Sequence, residues 1–536
     1  MARRKDARAV AGAPPRPPAV AATPPGRTKT ILAIVGAALA AAAFAWLLSS
    51  VLIGRAVAGR LPRLANPIAD TQPVADAIGA ADAAARRWPT AASVGELAMV
   101  YHASLRPLEA IQTYTLATTL DRADWRWSYY RGLLLEERGD QVGAHEAFTA
   151  VARQVPSHGL TRFHLAEIAF KAGRLDEART EYLATRTAAA TIAPPVVESL
   201  PPRGGIPLGA YASLGLARVE LEQGNRQAGR DQLTALVRAH PALGSAHALR
   251  RRLEDDGSAR GADDGRAYVP PADPWLDAVV SRSWHPDLLL KHAAIAGRTG
   301  ETVWREWLVR RALTASPRGL DVLLEAAATE RAANRLTGAL EFLQQAEAVA
   351  PDDHHTLVES GRTLSDLGRL TEAEAVLRRA TRVRDAAAEY NLANVLDQMD
   401  RWDEARQHYE RALVINPYHS RAMNNLGIGF SRRGDLPRAV ALYQRAIAMA
   451  PDVPDTYTNL SAALGGMGLF KEALEATDVA LRLNPSAADA HSNRGIALAQ
   501  LGRGAEARAA FEAALRIDPG HTDARRNLAA IGSKYY

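Results

Sequence analysis

AAAEYNLANVLDQMDRWDEARQHYERALVINP (386–417), SRAMNNLGIGFSRRGDLPRAVALYQRAIAMAP (420–451), PDTYTNLSAALGGMGLFKEALEATDVALRLNP (454–485) and ADAHSNRGIALAQLGRGAEARAAFEAALRIDP (488–519) are four variants of one pattern. Their closing prolines, Pro417, Pro451, Pro485 and Pro519, stand 34 residues apart. With this proline as position 32, the units begin at Ala386, Ser420, Pro454 and Ala488. Position 8 is then Ala393, Gly427, Ser461 and Gly495, position 20 is Ala405, Ala439, Ala473 and Ala507, and position 27 is Ala412, Ala446, Ala480 and Ala514. Positions 7 and 11 are mainly large and apolar, with Arg494 the exception, and position 24 is Tyr409, Tyr443, Thr477 and Phe511. At 3.6 residues per turn, 7, 8 and 11 share one helix face and 20, 24 and 27 share another. Each unit predicts two helices that meet closely at small residues.

Position 15 predicts the turn between them. Gly434, Gly468 and Gly502 suit a left-handed residue ending the first helix, and Asp400 tolerates that conformation. The proline at 32 stops the second helix. This pattern resembles the tetratricopeptide repeat, a helix-turn-helix unit with small residues at 8, 20 and 27. The same frame recovers weaker copies from Ala91, Trp125, Gly159, Ala210, Pro286, Leu320 and His354, the last two residues short, so that about eleven units carry glycine at position 15 in eight cases. The Pro286 unit places Arg305 where alanine is expected. The expected fold is an all-α tetratricopeptide-repeat helical solenoid preceded by one N-terminal transmembrane helix. A membrane-proximal array is expected over 74–250 with a proline-rich insertion at 187–209, then a polar linker over 251–275, a distal array over 276–521 and a capping helix over 523–533.

The chain has 536 residues and no cysteine, which excludes disulfides, thiolate metal sites, iron–sulfur clusters and cysteine nucleophiles. Its +6 charge sits in residues 1–29, where seven basic side chains face Asp6 alone. The neutral remainder lacks the footprint of a phosphate-backbone binder, and no nucleic-acid partner is expected. Residues 1–29 also hold six prolines and predict a disordered cytoplasmic tail. Residues 30–54 carry no charge and are long enough to span a bilayer. Basic residues concentrated before the span put the N-terminus in the cytoplasm and the body outside, periplasmic in a Gram-negative cell. Ala56-Val57-Ala58 has the form of a signal cleavage site, but the apolar run exceeds a signal peptide's core, so an uncleaved signal-anchor is expected.

No catalytic, cofactor or metal site is expected. The sequence holds no phosphate-binding glycine loop, Gly-x-Ser-x-Gly or His-Glu-x-x-His. Asp352-Asp353-His354-His355 falls on an inter-repeat turn, and the aromatic run from Trp125 to Tyr130 reads as core. Position 6 is asparagine in four successive units: Asn391, Asn425, Asn459 and Asn493. Asparagine is a mediocre helix former, so the ladder needs a reason. It either bonds neighbouring repeats or holds the backbone of an extended peptide in the concave groove that the resemblance implies. The lysines and arginine of the family's carboxylate clamp are missing: position 5 is Tyr390, Asn424, Thr458 and Ser492, and position 9 is Asn394, Ile428, Ala462 and Ile496. The resemblance implies a non-enzymatic scaffold for a protein or extended peptide, and with the expected anchor and topology it is expected to act at the membrane within an envelope secretion or assembly complex. The alternative is a substrate-presenting subunit of a membrane enzyme such as a glycosyltransferase.

Overall fold

The first helix of every unit ends on the same backbone device. All eleven left-handed residues among the described residues occupy position 15: eight glycines with φ between 73° and 85°, and Leu105, Asn334 and Asp400 with φ between 55° and 58°. Behind each, the next N–H returns to the carbonyl five residues back, as from Asp435 to Phe430 at 3.0 Å and from Arg503 to Leu498 at 2.9 Å. This capping bond satisfies a carbonyl that the helix end leaves open and turns the chain at once into the second helix.

The computed structural model describes residues 25–63, 71–188, 200–201, 205–255 and 270–534. The expected tail therefore lies outside the described residues up to residue 24, as do 189–199 and 202–204 of the insertion and 256–269 of the linker. Helix pairs Ala386–Gln398 and Trp402–Ile415, Ser420–Arg432 and Leu436–Met449, Pro454–Gly466 and Phe470–Leu483, and Ala488–Gln500 and Gly504–Ile517 open on the residues that begin the 34-residue frame. A single helix, Thr522–Lys534, follows them. Upstream, Arg126–Glu137 starts one residue after the frame and Leu208–Glu222 two residues before it. No strand occurs among the described residues. The chain forms two compact units: 76–102 and 106–156 fall in the first with the N-terminal residues up to Ile68, and 69–75, 103–105 and everything from Ser157 onward fall in the second. The first holds the pairs Ala91–Ala103, save its last residue, with Pro107–Leu120 and Arg126–Glu137 with Gln141–Gln154, and the second holds the pairs from Gly159 onward.

Within a pair, the ring at position 24 lies on the backbone of position 8. A Cβ on Gly427 would stand 2.8 Å from the Tyr443 ring, and one on Gly495 would stand 2.6 Å from Phe511. Glycine is the residue that lets these helices approach with an aromatic between them. The alanines at 20 and 27 of the four C-terminal units are at most 2% exposed. Where the pattern breaks, charge pairing replaces apolar packing. Arg305, at an alanine position, binds Glu325 at 2.7 Å. Arg494 binds Asp478 of the preceding unit at 3.1 Å.

The N-terminal helix runs Pro25–Arg60. Among the described residues no helix is long and apolar enough to cross a membrane, so the span expected over 30–54 finds no support there. Alanine fills seven of the eleven positions 35–45 and contributes little apolar surface. The side chains of 30–34, 46–47, 49–51 and 53 lie outside the described set.

Close packing at position 20 sets a stability test. Ala439 is fully buried against Tyr443 and Leu460. Ala439→Leu is expected to cost about 1 to 3 kcal/mol through overpacking, spreading to adjacent units. Thermal unfolding followed by circular dichroism measures the loss, and an unchanged midpoint contradicts the register.

Candidate peptide-binding groove

Capping at position 15 gives successive first helices the same orientation in the frame, so their positions 2, 5, 6, 9, 12 and 13 form one surface. On His354–Asp366, Ala386–Gln398 and Ser420–Arg432 these positions line a cavity of about 540 Å³. Its wall includes Arg362, Tyr390, Asn391, Asn394, Arg421 and Asn425. Two members of the asparagine ladder, Asn391 and Asn425, therefore face one cavity. Asn459 and Asn493 do not line it.

The ladder's amides join a hydrogen-bond relay along the groove. Tyr409 Oη donates to Asn394 Oδ1 at 2.6 Å, and Asn425 Nδ2 donates to the same oxygen at 2.9 Å and to Tyr390 Oη at 3.3 Å. Asn424 Nδ2 donates to Asn425 Oδ1 at 3.2 Å, and Asn459 Nδ2 donates to Asn424 Oδ1 at 3.1 Å. Further on, Asn493 Nδ2 donates to the Thr458 carbonyl at 3.2 Å and to Ser461 Oγ at 3.0 Å. Asn425, Asn459 and Asn493 thus each use a donor across the seam to the preceding unit. The side-chain amide of Asn391 makes no hydrogen bond to a described residue. An amide has two donors and an acceptor, so a seam bond leaves capacity for a ligand.

The charges of the cavity are mixed and mostly paired. Asp397 binds Arg432 at 3.4 Å, and Asp366 binds Arg331 at 2.9 Å. Arg362 lies 4.0 Å from Glu359. Arg421 has no ion-pair partner among the described residues and is exposed. His419 caps the helix Ser420–Arg432, its Nδ1 accepting from the Ala422 N–H at 3.2 Å, and its ring lies 4.8 Å from that of Tyr390. Burial holds the His419 imidazole below its ordinary range, aided by Arg421 and opposed by Asp385. The neutral ring this favours is the form that can accept at Nδ1. Burial also pushes the Tyr409 phenol well up, keeping its proton available to Asn394.

The sequence singled out position 6 and missed Arg362, Tyr390, Asn394 and Arg421 as groove residues. Their signal is the shared helix face of positions 2, 5 and 9. The aspartate–histidine run serves structure: Asp353 caps its helix through Thr356 N–H at 2.8 Å, and His354 Nε2 lies 3.1 Å from Asp385 Oδ2.

Tetratricopeptide-repeat family models match residues 384–452, 143–191 with 458–522, and 354–387. The chain therefore carries tetratricopeptide repeats, units that act as protein–protein interaction scaffolds. No curated protein matches it significantly. Similar solved structures include the APC/C hetero-tetramer Cut9–Hcn1, at 14% identity over 82% of this chain and 96% of that one, with a TM-score of 0.41. YrrB, described as a tetratricopeptide-repeat protein with an unusual peptide-binding site, is 23% identical over 35% of this chain and 97% of its own, with a TM-score of 0.31. A tetratricopeptide-repeat protein from Parabacteroides merdae is 16% identical over 46% and 98%, with a TM-score of 0.36.

Proposed function

We propose that this chain is a non-enzymatic scaffold that holds an extended polypeptide along the groove of units 354 to 432. The observation that carries this reading is the convergence on one cavity of three successive first helices, with the unbonded Asn391 amide and the unpaired Arg421 among its lining. A peptide backbone offers one donor and one acceptor per residue, which a column of amides matches whatever the peptide's side chains. The amides that also bond across the seam keep the column in register.

Asn391 and Asn425 separate binding from stability. At roughly 0.5 to 1.5 kcal/mol per neutral hydrogen bond, replacing Asn391 and Asn425, the two ladder members that line the cavity, by alanine is expected to weaken a captured partner by about 1 to 3 kcal/mol. Asn391→Ala alone is expected to weaken binding with its melting temperature kept, whereas Asn425→Ala also lowers the melting temperature. Calorimetric titration with melting curves reads both, and normal binding by a folded Asn391→Ala, Asn425→Ala double variant removes the ladder from the site.

The same reading places the scaffold at a membrane, anchored by residues 30–54, with its body in the periplasm and its partner in an envelope secretion or assembly complex. Support comes from the uncharged run within the helix Pro25–Arg60, the exposed Leu39, Phe44 and Leu52, and the basic residues before it. In this cysteine-free chain, Ser533→Cys is expected to react with a membrane-impermeant maleimide once the outer membrane is opened. Labelling only after inner-membrane lysis reverses the topology, and recovery of the protein in the soluble fraction removes the anchor.

A further inference from the structure

Outside the groove, Arg305 and Arg311 of the helix Thr302–Ala315 stand in opposite circumstances. Arg305 is paired with Glu325, whereas Arg311 has no carboxylate within 4.0 Å among the described residues. Arg311 is nevertheless half-buried and held in a fixed frame. Its guanidinium carbon lies 3.9 Å from the centre of the Trp284 ring and 5.5 Å from that of Trp307. Trp307 in turn stacks on the buried Trp304, with centroids 5.1 Å apart and planes 10° from parallel. Arg311 Nε–H donates to the carbonyl of the buried Ser283 at 2.6 Å.

Ring faces offset only part of the cost of removing a cation from water. Burial acts on the Arg311 guanidinium in the direction of a lower pKa, and no acid among the described residues opposes it. Of the five donors in the guanidinium fork, one is used by Ser283. The remaining four, on Nη1 and Nη2, have no acceptor among the described residues. A fork fixed by aromatic packing, with its outer edge unused, matches a carboxylate accepting two parallel hydrogen bonds.

We propose that Arg311, framed by Trp284 and Trp307, is an oxyanion site that takes a carboxylate, either from a free small acid or from an acidic side chain of a bound polypeptide. The site lies on a second helix and does not depend on the groove reading.

The test titrates the full-length chain in mild detergent with sodium succinate and with hexaglutamate, each against sodium chloride at matched ionic strength. Tryptophan fluorescence and the thermal midpoint are read together. At least one carboxylate is expected to raise the midpoint beyond the chloride control and to change the fluorescence. Arg311→Met is expected to abolish both responses, each read against the variant's own midpoint and fluorescence without ligand, since it removes the fork but also the bond to the Ser283 carbonyl. Arg311→Lys keeps the charge and loses the fork, and is expected to raise the half-saturating concentration about tenfold or more. A response to succinate assigns a free small acid as the source; a response to hexaglutamate at lower concentration assigns a protein acid. Carboxylates that act no differently from chloride, or an Arg311→Met variant that responds as the parent does, overturn the proposal.

Discussion

Everything in the repeat array depends on one backbone bond, the return of the N–H after position 15 to the carbonyl of position 11. It requires a left-handed residue, and it sets the angle at which the second helix leaves the first. Glycine provides that conformation without strain at eight units, whereas Leu105 holds it with a Cβ that the region disfavours. The aromatic at position 24 then meets the backbone of position 8, and the alanines at 20 and 27 close around it. Exposed ion pairs such as Arg369 with Glu372 and Arg503 with Glu506 decorate the second helices, but screened surface pairs add little to this.

The groove and the seam between repeats are built from the same side chains. Asn425 braces its unit against Tyr390 and Asn394 while facing the cavity, so a ligand there touches the bonds that keep neighbouring units in register. Nearest-neighbour coupling is how a solenoid is stabilised, and occupancy of the groove consequently stabilises the units it spans. His419 belongs to both systems as well, since it caps a groove helix and packs on Tyr390.

The repeat frame was legible because its residues are constrained by backbone geometry and close contact, which few side chains satisfy. Gly434 and Gly427 could be assigned a turn and a helix crossing from spacing alone, and both roles are observed. The relay was not legible, because whether an amide bonds across a seam depends on the neighbouring helix and not on its own period. Asn391 and Asn425 look identical in the sequence and differ in the structure: one is bonded to the preceding unit and the other is not. Arg305 and Arg494 similarly read as defects until the carboxylates of Glu325 and Asp478, on neighbouring units, are placed beside them. The framing of Arg311 by Trp284 and Trp307 joins a loop to a helix and leaves no periodic trace.

The central claim is that the first helices of successive units present one continuous binding surface. Hydrogen–deuterium exchange of the full-length protein, with and without a polypeptide captured by crosslinking in native membranes, tests it most directly. The account predicts slowed exchange in His354–Asp366, Ala386–Gln398 and Ser420–Arg432 with little change in Leu370–Ala380, Trp402–Ile415 and Leu436–Met449. Protection confined to those second helices, with the first helices unchanged, would contradict it.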